Sequence, residues 1–365
     1  MSLELKSLNQ MSKNYSGQDI GDGKGFLNSF PAQQPKISVI IPMRNSSKYL
    51  EDCLKSVCNQ DYPYYEVLII DDFSSDNSVE IAKKYPVKII SLDNNYGAAI
   101  ARNKGAEKAR GEILVFTDTD VIIERTCLSQ IAEGMTSFNS HFSGIVGRLA
   151  DDSPQENFAS SYKNLYMHYT YGLLPEEISV FYTSIAAIKK DTFHVCKGFD
   201  PNYKGASIED MEFGERITAN GYKILMNKDL KVRHLHRYSL FELLKTAFKR
   251  AEGVTKIMMR KKFSKGEKST YQSSPLSFRS GIAIIFLCFV SLCLGIIFAK
   301  NLFFIAAIVL YLLILGINFP FLDFLRKKKG LIFFLKSCII IGIDMFAHGL
   351  GAFWGMYSFL SGKKY

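Results

Sequence analysis

The sequence lacks the cysteine patterns that mark zinc-bound or disulfide-linked proteins. It has seven cysteines, but no Cys-x-x-Cys pair and no cysteine at a zinc-type spacing from a histidine. Structural zinc sites use such spacings, and small secreted domains use paired cysteines. These absences argue against a zinc finger and a disulfide scaffold, and we expect free thiols in a reducing compartment.

The first 35 residues lack an apolar core. They are polar, contain glycine, serine and asparagine, and show no periodic apolar pattern. A secretory signal peptide needs a central apolar run, so none is expected here. Residues 1–35 are instead predicted to form a mobile N-terminal tail.

Composition divides the remainder of the 365-residue chain into three segments. Residues 36–236 have the composition of a soluble α/β domain, and residues 276–365 that of a helical membrane region. Residues 237–275 between them are predicted to form interfacial amphipathic helices and a basic linker. Apolar side chains recur at helical spacing over 239–259, which fits a helix lying in the membrane interface. The alternative is a helix that packs on the soluble domain.

The C-terminal segment contains long uncharged runs. Membrane spans are expected at about 281–299 and 302–320, because each run is near the length needed to cross a bilayer. The apolar stretch 331–360 predicts either one span or a hairpin. Inside it, Asp344 and His348 share one helical face, and ionisable groups at such depth pair with each other or contact a lipid phosphate.

The net charge of +10 raises the question of a nucleic-acid partner. The basic residues cluster directly before the first predicted span and between the second and third apolar stretches: Lys256, Arg260, Lys261, Lys262, Lys265, Lys268 and Arg326 to Lys329. No stacking-aromatic pattern accompanies them, so no nucleic acid is expected. Such groups fit the anionic cytoplasmic leaflet, which predicts a multi-pass protein of the cytoplasmic membrane with its α/β domain in the cytoplasm.

Three acidic clusters follow apolar or small-residue runs. Asp71-Asp72 and Asp118-Thr119-Asp120 come directly after short β-rich runs, and Glu209-Asp210 precedes a helical segment. In open parallel α/β sheets, ligands bind beyond the carboxyl ends of the strands. Clustered carboxylates resist ionisation together, and a divalent cation removes that cost. The pattern predicts one site that holds Mg²⁺ or Mn²⁺.

Strand and helix patterns alternate along the soluble segment. Strands are predicted at 37–42, 66–70, 87–91 and 111–117, with a helical pattern after each of the first three. The runs 66–70 and 111–117 do not alternate polar and apolar residues, which is typical of strands covered on both faces. The alternation predicts a doubly wound, mainly parallel sheet.

Motifs in order along this segment resemble those of a known family. They are Val39-Ile40-Ile41-Pro42, Val67 to Asp76, Asn95-Tyr96-Gly97 with Ala101 to Gly105, Asp118-Thr119-Asp120, and Glu209 to Gly214. Together they resemble the family 2 inverting glycosyltransferases with the GT-A fold, over roughly residues 36–236. The resemblance implies a GT-A-type (Rossmann-like) mixed, mainly parallel sheet. The segment Cys196 to Asp200 departs from the family, which often has paired glycines before this Phe-Asp.

The resemblance also implies a nucleotide-sugar site. The implied donor-binding residues are Pro42, Arg44, Asn45, Asp71, Asp72, Arg102, Asp118 and Glu209. Asp72 or Asp71 would accept a hydrogen bond from the base, a task that suits an ionised carboxylate. The alternatives are a turn-capping role for the aspartate and a solvated helix position for Arg102.

Metal-binding and catalytic roles follow from the same resemblance. The implied ligands of Mg²⁺ or Mn²⁺ are Asp118, Asp120, His234 and His236, with Asp120 the more direct ligand and the choice between the histidines left open. Asp210 maps onto the family's general base, which takes the proton of the acceptor hydroxyl. An aspartate at a helix start is also an ordinary cap.

The leading hypothesis is a membrane-bound inverting hexosyltransferase. It would move a sugar from a UDP- or GDP-sugar to a lipid-linked acceptor, either a polyprenyl phosphate or a lipid-linked saccharide, at the cytoplasmic face. A processive polysaccharide synthase is the alternative, but such synthases carry a Gln-x-x-Arg-Trp motif and the only tryptophan, Trp354, follows Phe353. A non-catalytic membrane scaffold fits the intact acidic clusters less well. The sugar, the nucleotide and the oligomeric state stay open.

Overall fold

The computed structural model describes residues 35–136, 141–152, 154–203, 208–265 and 275–363, without the side chains of residues 262–265. Within these ranges the chain forms nine strands and twelve helices. The strands are β1 (Ile37–Met43), β2 (Tyr65–Asp71), β3 (Lys88–Ser91), β4 (Ile113–Thr117), β5 (Val121–Ile123), β6 (Phe142–Leu149), β7 (Glu177–Ile178), β8 (Ile185–Lys189) and β9 (Lys223–His234). The helices are α1 (Leu50–Val57), α2 (Ser78–Ala82), α3 (Ala98–Lys108), α4 (Cys127–Thr136), α5 (Phe158–Gly172), α6 (Lys190–Val195), α7 (Glu209–Ala219), α8 (Leu240–Lys265), α9 (Leu276–Phe298), α10 (Asn301–Ile317), α11 (Phe319–Lys329) and α12 (Leu331–Leu360).

The strands form one mixed sheet in the order β3-β2-β1-β4-β8-β6-β9-β5, with β7 paired to β9. The first four strands are parallel to one another. Strand β8 runs antiparallel to both of its neighbours, and β9 is parallel to β6 but antiparallel to β5 and β7. The predicted alternation of strands and helices therefore describes the β1–β4 block, and the antiparallel pairings begin at β8.

Continuous apolar runs explain the position of the parallel block in the middle of the domain. Val39, Ile40 and Ile41 of β1 are all fully buried. Ile40 contributes to one hydrophobic cluster, whereas Val39 and Ile41 contribute to a second cluster. Successive side chains of a strand point to opposite faces, so each face of β1 is covered. This is the arrangement that the uninterrupted apolar pattern predicts.

The described part of the predicted membrane region, residues 276–363, forms four helices. Helices α9 and α12 are each long and apolar enough to cross a membrane. Between them, α10 and α11 bend by 66° at Asn318, as in a broken span or a re-entrant segment. The expected second span, 302–320, is thus not one straight helix, and the stretch 331–360 is one helix rather than a hairpin.

The amphipathic helix expected near 239–259 is the single helix α8, which packs along α12. Glycines allow the close approach: a Cβ on Gly351 or Gly355 would overlap the carbonyl oxygens of Phe248 and Glu252 of α8. At the other side of α8, Lys261 pairs with Glu215 of α7 at 2.6 Å. Helix α8 therefore connects the sheet domain to the apolar helices. Its predicted position in a membrane interface stays a prediction.

Two sequence predictions fall on residues beyond these ranges. The tail predicted for residues 1–35 lies, apart from Pro35, outside the described residues. Residues 266–274 of the predicted basic linker, which include Lys268, lie outside them too.

Candidate active site

A cavity of about 230 Å³ lies where the carboxyl end of β4, the start of α7 and the end of β9 meet. Six residues of the predicted site line it: Arg102, Asp118, Glu209, Asp210, His234 and His236. They come from separate elements along the chain, and Arg102 and Glu209 are 107 residues apart. The sheet topology brings them together, because β4 and β9 lie in the same sheet with β8 and β6 between them.

Arg102 connects two of the acidic clusters. Its guanidinium donates to Asp118 Oδ1 and to Glu209 Oε1, each at 2.8 Å. The side chains of Arg102 and Glu209 are only 4% exposed, so each buried charge depends on its partner. Breaking such a pair is costly because it leaves an uncompensated buried charge. The expected alternative of a solvated helix arginine is wrong, since Arg102 of α3 is buried.

Asp120 faces both histidines of the predicted metal set. Its Oδ1 lies 3.6 Å from His234 Nε2 and its Oδ2 lies 3.6 Å from His236 Nδ1. The pairing of β5 with β9, in which Val121 is opposite His234, brings these side chains together. Burial raises the pKa of Asp118, with the charge of Asp120 adding to the rise and Arg102 opposing it.

The predicted ligands do not form a preassembled metal cage. Across the described ranges, no group of three or more histidine, cysteine, aspartate or glutamate side chains could hold a metal ion by itself. Asp118 is committed to Arg102, which leaves Asp120 and the two imidazoles as the oxygen and nitrogen donors nearest one another. A cation held by so few protein ligands completes its shell with substrate phosphates and water.

Asp210 occupies the first turn of α7. Its Oδ1 accepts the backbone N–H of Met211 at 2.8 Å. Burial and then the charge of Glu209 raise the pKa of Asp210 to about 7, although Arg250 and Arg102 oppose the rise. A carboxyl group with a pKa near neutrality can exchange a proton at physiological pH, which is the property that a general base requires.

The loops that follow β1 and β2 form the adjoining edge. Asp72 accepts the backbone N–H groups of Tyr96 and Gly97, at 2.7 and 2.8 Å. Both of its oxygens therefore hold the β3–α3 loop. This structural role is similar to the turn-capping role that the sequence analysis gave as an alternative. Asp71 is buried as well, and its Oδ1 accepts the Ser74 N–H at 3.0 Å.

The same edge holds the remaining predicted donor-binding residues. Pro42 is half-buried at the end of β1, and Arg44 is exposed beside it. Asn45 has a φ of 47°, and its side-chain oxygen accepts the Ser75 N–H at 2.8 Å. Phe73, with a φ of 66°, also lies in the left-handed region, where a bulky residue is strained. Strained loops of this kind cluster at functional sites.

Sequence reasoning missed two cations of the cavity. Lys163 of α5 and Arg250 of α8 line it together with the predicted residues. The Arg250 guanidinium lies 5.7 Å from the ring centroid of Tyr182. A signal was available for Lys163, which lies among tyrosines in the sequence Ser-Tyr-Lys-Asn-Leu-Tyr. Arg250 resembles the other cations of its amphipathic helix, and only the structure distinguishes it from them.

Comparisons with known proteins show which family this chain resembles. Residues 38–196 match the family model described as Glycosyl transferase family 2. The glycosyltransferase TuaG of Bacillus subtilis (strain 168) is 33% identical over 139 residues, which make up 36% of this chain and 55% of TuaG. The glycosyltransferase AglE of Haloferax volcanii is 29% identical over 235 residues, or 62% of this chain and 75% of AglE. The chain thus spans little more than half of TuaG.

A solved structure shares the fold. The mannosyltransferase PcManGT from Pyrobaculum calidifontis, in complex with GDP-Man and Mn²⁺, superimposes with a TM-score of 0.54 at 16% identity. The superposition covers 96% of this chain and 94% of that one. The predicted GT-A-type mixed sheet followed by helices is confirmed. Over residues 38–196, this chain is similar to glycosyl transferase family 2.

Proposed function

We propose that the protein is a membrane-bound inverting glycosyltransferase that moves a sugar from a nucleotide-sugar donor to a lipid-linked acceptor. The observation that carries this proposal is the composition of the cavity. Asp210, a carboxyl group with a pKa of about 7, lines it together with the Arg102-bound Asp118. An inverting transfer needs a base that can take the acceptor's proton in the same site that holds the donor.

The donor nucleotide is assigned to the edge formed by the loops after β1 and β2. Arg44 is exposed there and can approach a phosphate or a ribose, and Asp71 is a pure acceptor when ionised. Asp72 supports this edge by holding Tyr96 and Gly97. Between Asp71 and Asp72, the base contact is therefore assigned to Asp71, because both Asp72 oxygens already accept backbone hydrogen bonds.

Asp120, His234 and His236 are the residues that would hold a divalent cation. The carboxylate of Asp120 suits both Mn²⁺ and Mg²⁺. Bound there, the cation would offset the negative charge that develops on the departing nucleoside diphosphate. The mutual approach of Asp120 and both imidazoles, at 3.6 Å, supports this assignment.

Asp210 performs the acid–base part of the reaction. For a hydroxyl acceptor, it takes the proton as the acceptor oxygen bonds to C1 of the sugar and the bond from C1 to the diphosphate breaks. Attack opposite the leaving group inverts the configuration at C1. Arg102 holds Glu209, the residue before Asp210, and so fixes the start of α7 beside the donor.

The apolar helices support a lipid-linked acceptor, either a polyprenyl phosphate or a lipid-linked saccharide. Helices α9 and α12 can each cross a bilayer, and α12 packs against α8, which lines the cavity through Arg250. Basic residues at the ends of α8 and α11 support a multi-pass protein with its catalytic domain at the cytoplasmic face, because the positive-inside rule favours basic residues on that side.

Release of nucleoside diphosphate by the full-length protein in detergent tests the proposal. UDP- and GDP-sugars are screened with lipid extract added or omitted, and with Mn²⁺, Mg²⁺ or a chelator. We expect release that requires one donor, lipid and a divalent cation. Release that is unaffected by lipid would contradict the lipid-linked acceptor. Nucleotide binding without release, for every donor and with lipid present, would instead favour the non-catalytic scaffold.

A further inference from the structure

A second cavity, of about 220 Å³, lies between the sheet domain and the apolar helices. Its walls come from α5, α8, α9 and α12, two of which are the helices able to cross a membrane. Aromatic and aliphatic side chains make up most of the lining, among them Tyr162, Tyr166, Phe278, Ile282 and Val254. A cavity with such walls favours an apolar ligand that can enter from the bilayer.

The two cavities adjoin each other at a few shared residues. Lys163, Met167 and Arg250 line both the second cavity and the candidate active site. Two of these three are cations, and they come from different helices, α5 and α8. A ligand that reached from one cavity to the other would therefore pass between two positive charges.

The electrostatics of this junction favour an anion. Burial and then the charge of Arg250 lower the pKa of Lys163 to about 8, and Asp344 only partly opposes the change. Within the described ranges Lys163 forms no ion pair. The acidic residue in the lining of the second cavity, Asp344, lies 3.4 Å from His348 Nδ1. Anions with several oxygens form strong charge-assisted bonds to lysine and arginine.

We propose that the second cavity binds the hydrocarbon chain of a membrane lipid phosphate, and that Lys163 and Arg250 bind its phosphate at the entrance to the active site. The inference rests on the proposed function, since this lipid would be the acceptor or its carrier. The arrangement holds the lipid's head group beside Asp210 while the chain stays among apolar side chains. Charge complementarity and continuity with the membrane helices select this occupant.

Binding of farnesyl phosphate to the full-length protein in detergent, measured by native mass spectrometry without donor or metal, tests the proposal. Farnesol and inorganic phosphate are the comparison probes. We expect farnesyl phosphate to bind at least about tenfold more tightly than either probe, because each supplies only one half of the interaction. Equal binding of inorganic phosphate or of farnesol would overturn the proposal.

Variants separate the two halves of the site. Lys163→Met is expected to weaken farnesyl phosphate binding by about tenfold and to leave farnesol binding unchanged. Lys163→Arg keeps the positive charge and is expected to bind farnesyl phosphate like the wild type. Ala352→Leu, which adds volume to the wall on α12, is expected to weaken both ligands. The matched controls Lys249→Met and Ala283→Leu change exposed residues of α8 and α9 and should bind like the wild type.

The outcomes distinguish this proposal from the proposed function. Unchanged lipid binding in both Lys163→Met and Ala352→Leu would overturn the lipid site, even if the wild type transfers sugar to a lipid. Suppose that both variants bind the lipid more weakly, as expected, but the wild type releases no nucleoside diphosphate from any donor. That result would support the lipid site and contradict the transferase assignment. Nucleotide binding by each variant, measured in parallel, shows that the protein is folded.

Discussion

The parallel block β1–β4 and the membrane-side helices α5, α8 and α12 build the two sides of one cleft by different means. In the block, short loops hold one another, as Asp72 does with Tyr96 and Gly97. On the membrane side, cations and carboxylates from distant helices line the cavities, as Lys163, Arg250 and Asp344 do. The difference shows that one side is organised by local hydrogen bonds and the other by helix packing.

Arg102 of α3 joins the end of β4 to the start of α7, and its loss is expected to have the largest effect. Arg102→Met leaves Asp118 and Glu209 without their shared partner. Removing one member of a buried ion pair costs about 3–5 kcal/mol of stability. Thermal unfolding in detergent measures the loss. Lys104→Met on the same helix removes an exposed ion pair to Glu107 and should change stability by less than about 0.5 kcal/mol. Equal effects of the two changes would refute the bridging role.

Asp210→Asn tests the start of α7, where the proposed base lines the candidate active site. Loss of the base should reduce sugar transfer by about 10²–10⁴-fold, because the amide cannot take the acceptor's proton. Donor binding should persist, since Asp210 lies outside the β1–β2 edge. Kinetic assays with measurement of nucleotide affinity separate the two quantities. Asp191→Asn, an exposed aspartate in the first turn of α6, is the matched control. An active Asp210→Asn protein would remove the proposed base.

Asp72→Asn tests the parallel block. An asparagine keeps one acceptor oxygen, so either the Tyr96 or the Gly97 N–H loses its partner. We expect a loss of about 1–3 kcal/mol in stability and a higher KM for the donor. Asp93→Asn, an exposed residue of the neighbouring loop that accepts only the Tyr96 hydroxyl, is the control. A rise in the acceptor KM instead of the donor KM would contradict the assignment of this edge.

The raised pKa of Asp210 predicts opposite pH dependences of rate and stability. As a base it works ionised, so kcat/KM should rise about tenfold per pH unit up to about pH 7 and then level off. Between pH 3.8, the ordinary pKa of an aspartate, and about pH 7, the Asp210 carboxyl group is protonated in the folded state and ionised in the unfolded state. This contribution therefore makes stability fall as pH rises through that window. Asp210→Asn should abolish this fall, and an unchanged pH profile of unfolding would contradict the raised pKa.

Gly351→Ala tests the packing of α8 on α12 and has the smallest expected effect. The added Cβ overlaps the carbonyl oxygen of Phe248. Overpacking costs about 1–3 kcal/mol, which the better helix propensity of alanine offsets by about 1 kcal/mol. Gly316→Ala, where a Cβ meets nothing within 4 Å, should be neutral or stabilising. Thermal unfolding of both variants measures the difference, and equal midpoints would refute the close packing.

The sequence predicted the parallel block well because its information is local. Strands β1, β2 and β4 contain the apolar runs Val39 to Ile41, Val67 to Ile70 and Ile113 to Phe116, and polar residues follow each strand. The bend at Asn318 was not predicted, because the uncharged run continues through it. An uncharged run indicates how long an apolar segment is. It does not indicate where the helix bends, because the bend depends on packing with neighbouring helices.

The residues of the candidate site also differ in whether the sequence alone identifies them. Asp118, Asp120, Glu209 and Asp210 stand out in the sequence because acidic residues follow apolar or small-residue runs there. Nothing in the local pattern of Arg250 distinguishes it from the exposed Lys249 beside it. Its orientation toward Tyr182 and the cavity depends on how α8 is rotated against α5 and α12.

By itself, the sequence determined the order of strands and helices in the parallel block, the acidic clusters and the apolar C-terminal segment, since these follow from short-range pattern and composition. Tertiary structure decided the pairing of Arg102 with Asp118 and Glu209, the approach of Asp120 to two histidines, and the meeting of two cavities at Lys163 and Arg250. The physical reason is that burial and charge act between neighbours in space, and these neighbours are far apart along the chain.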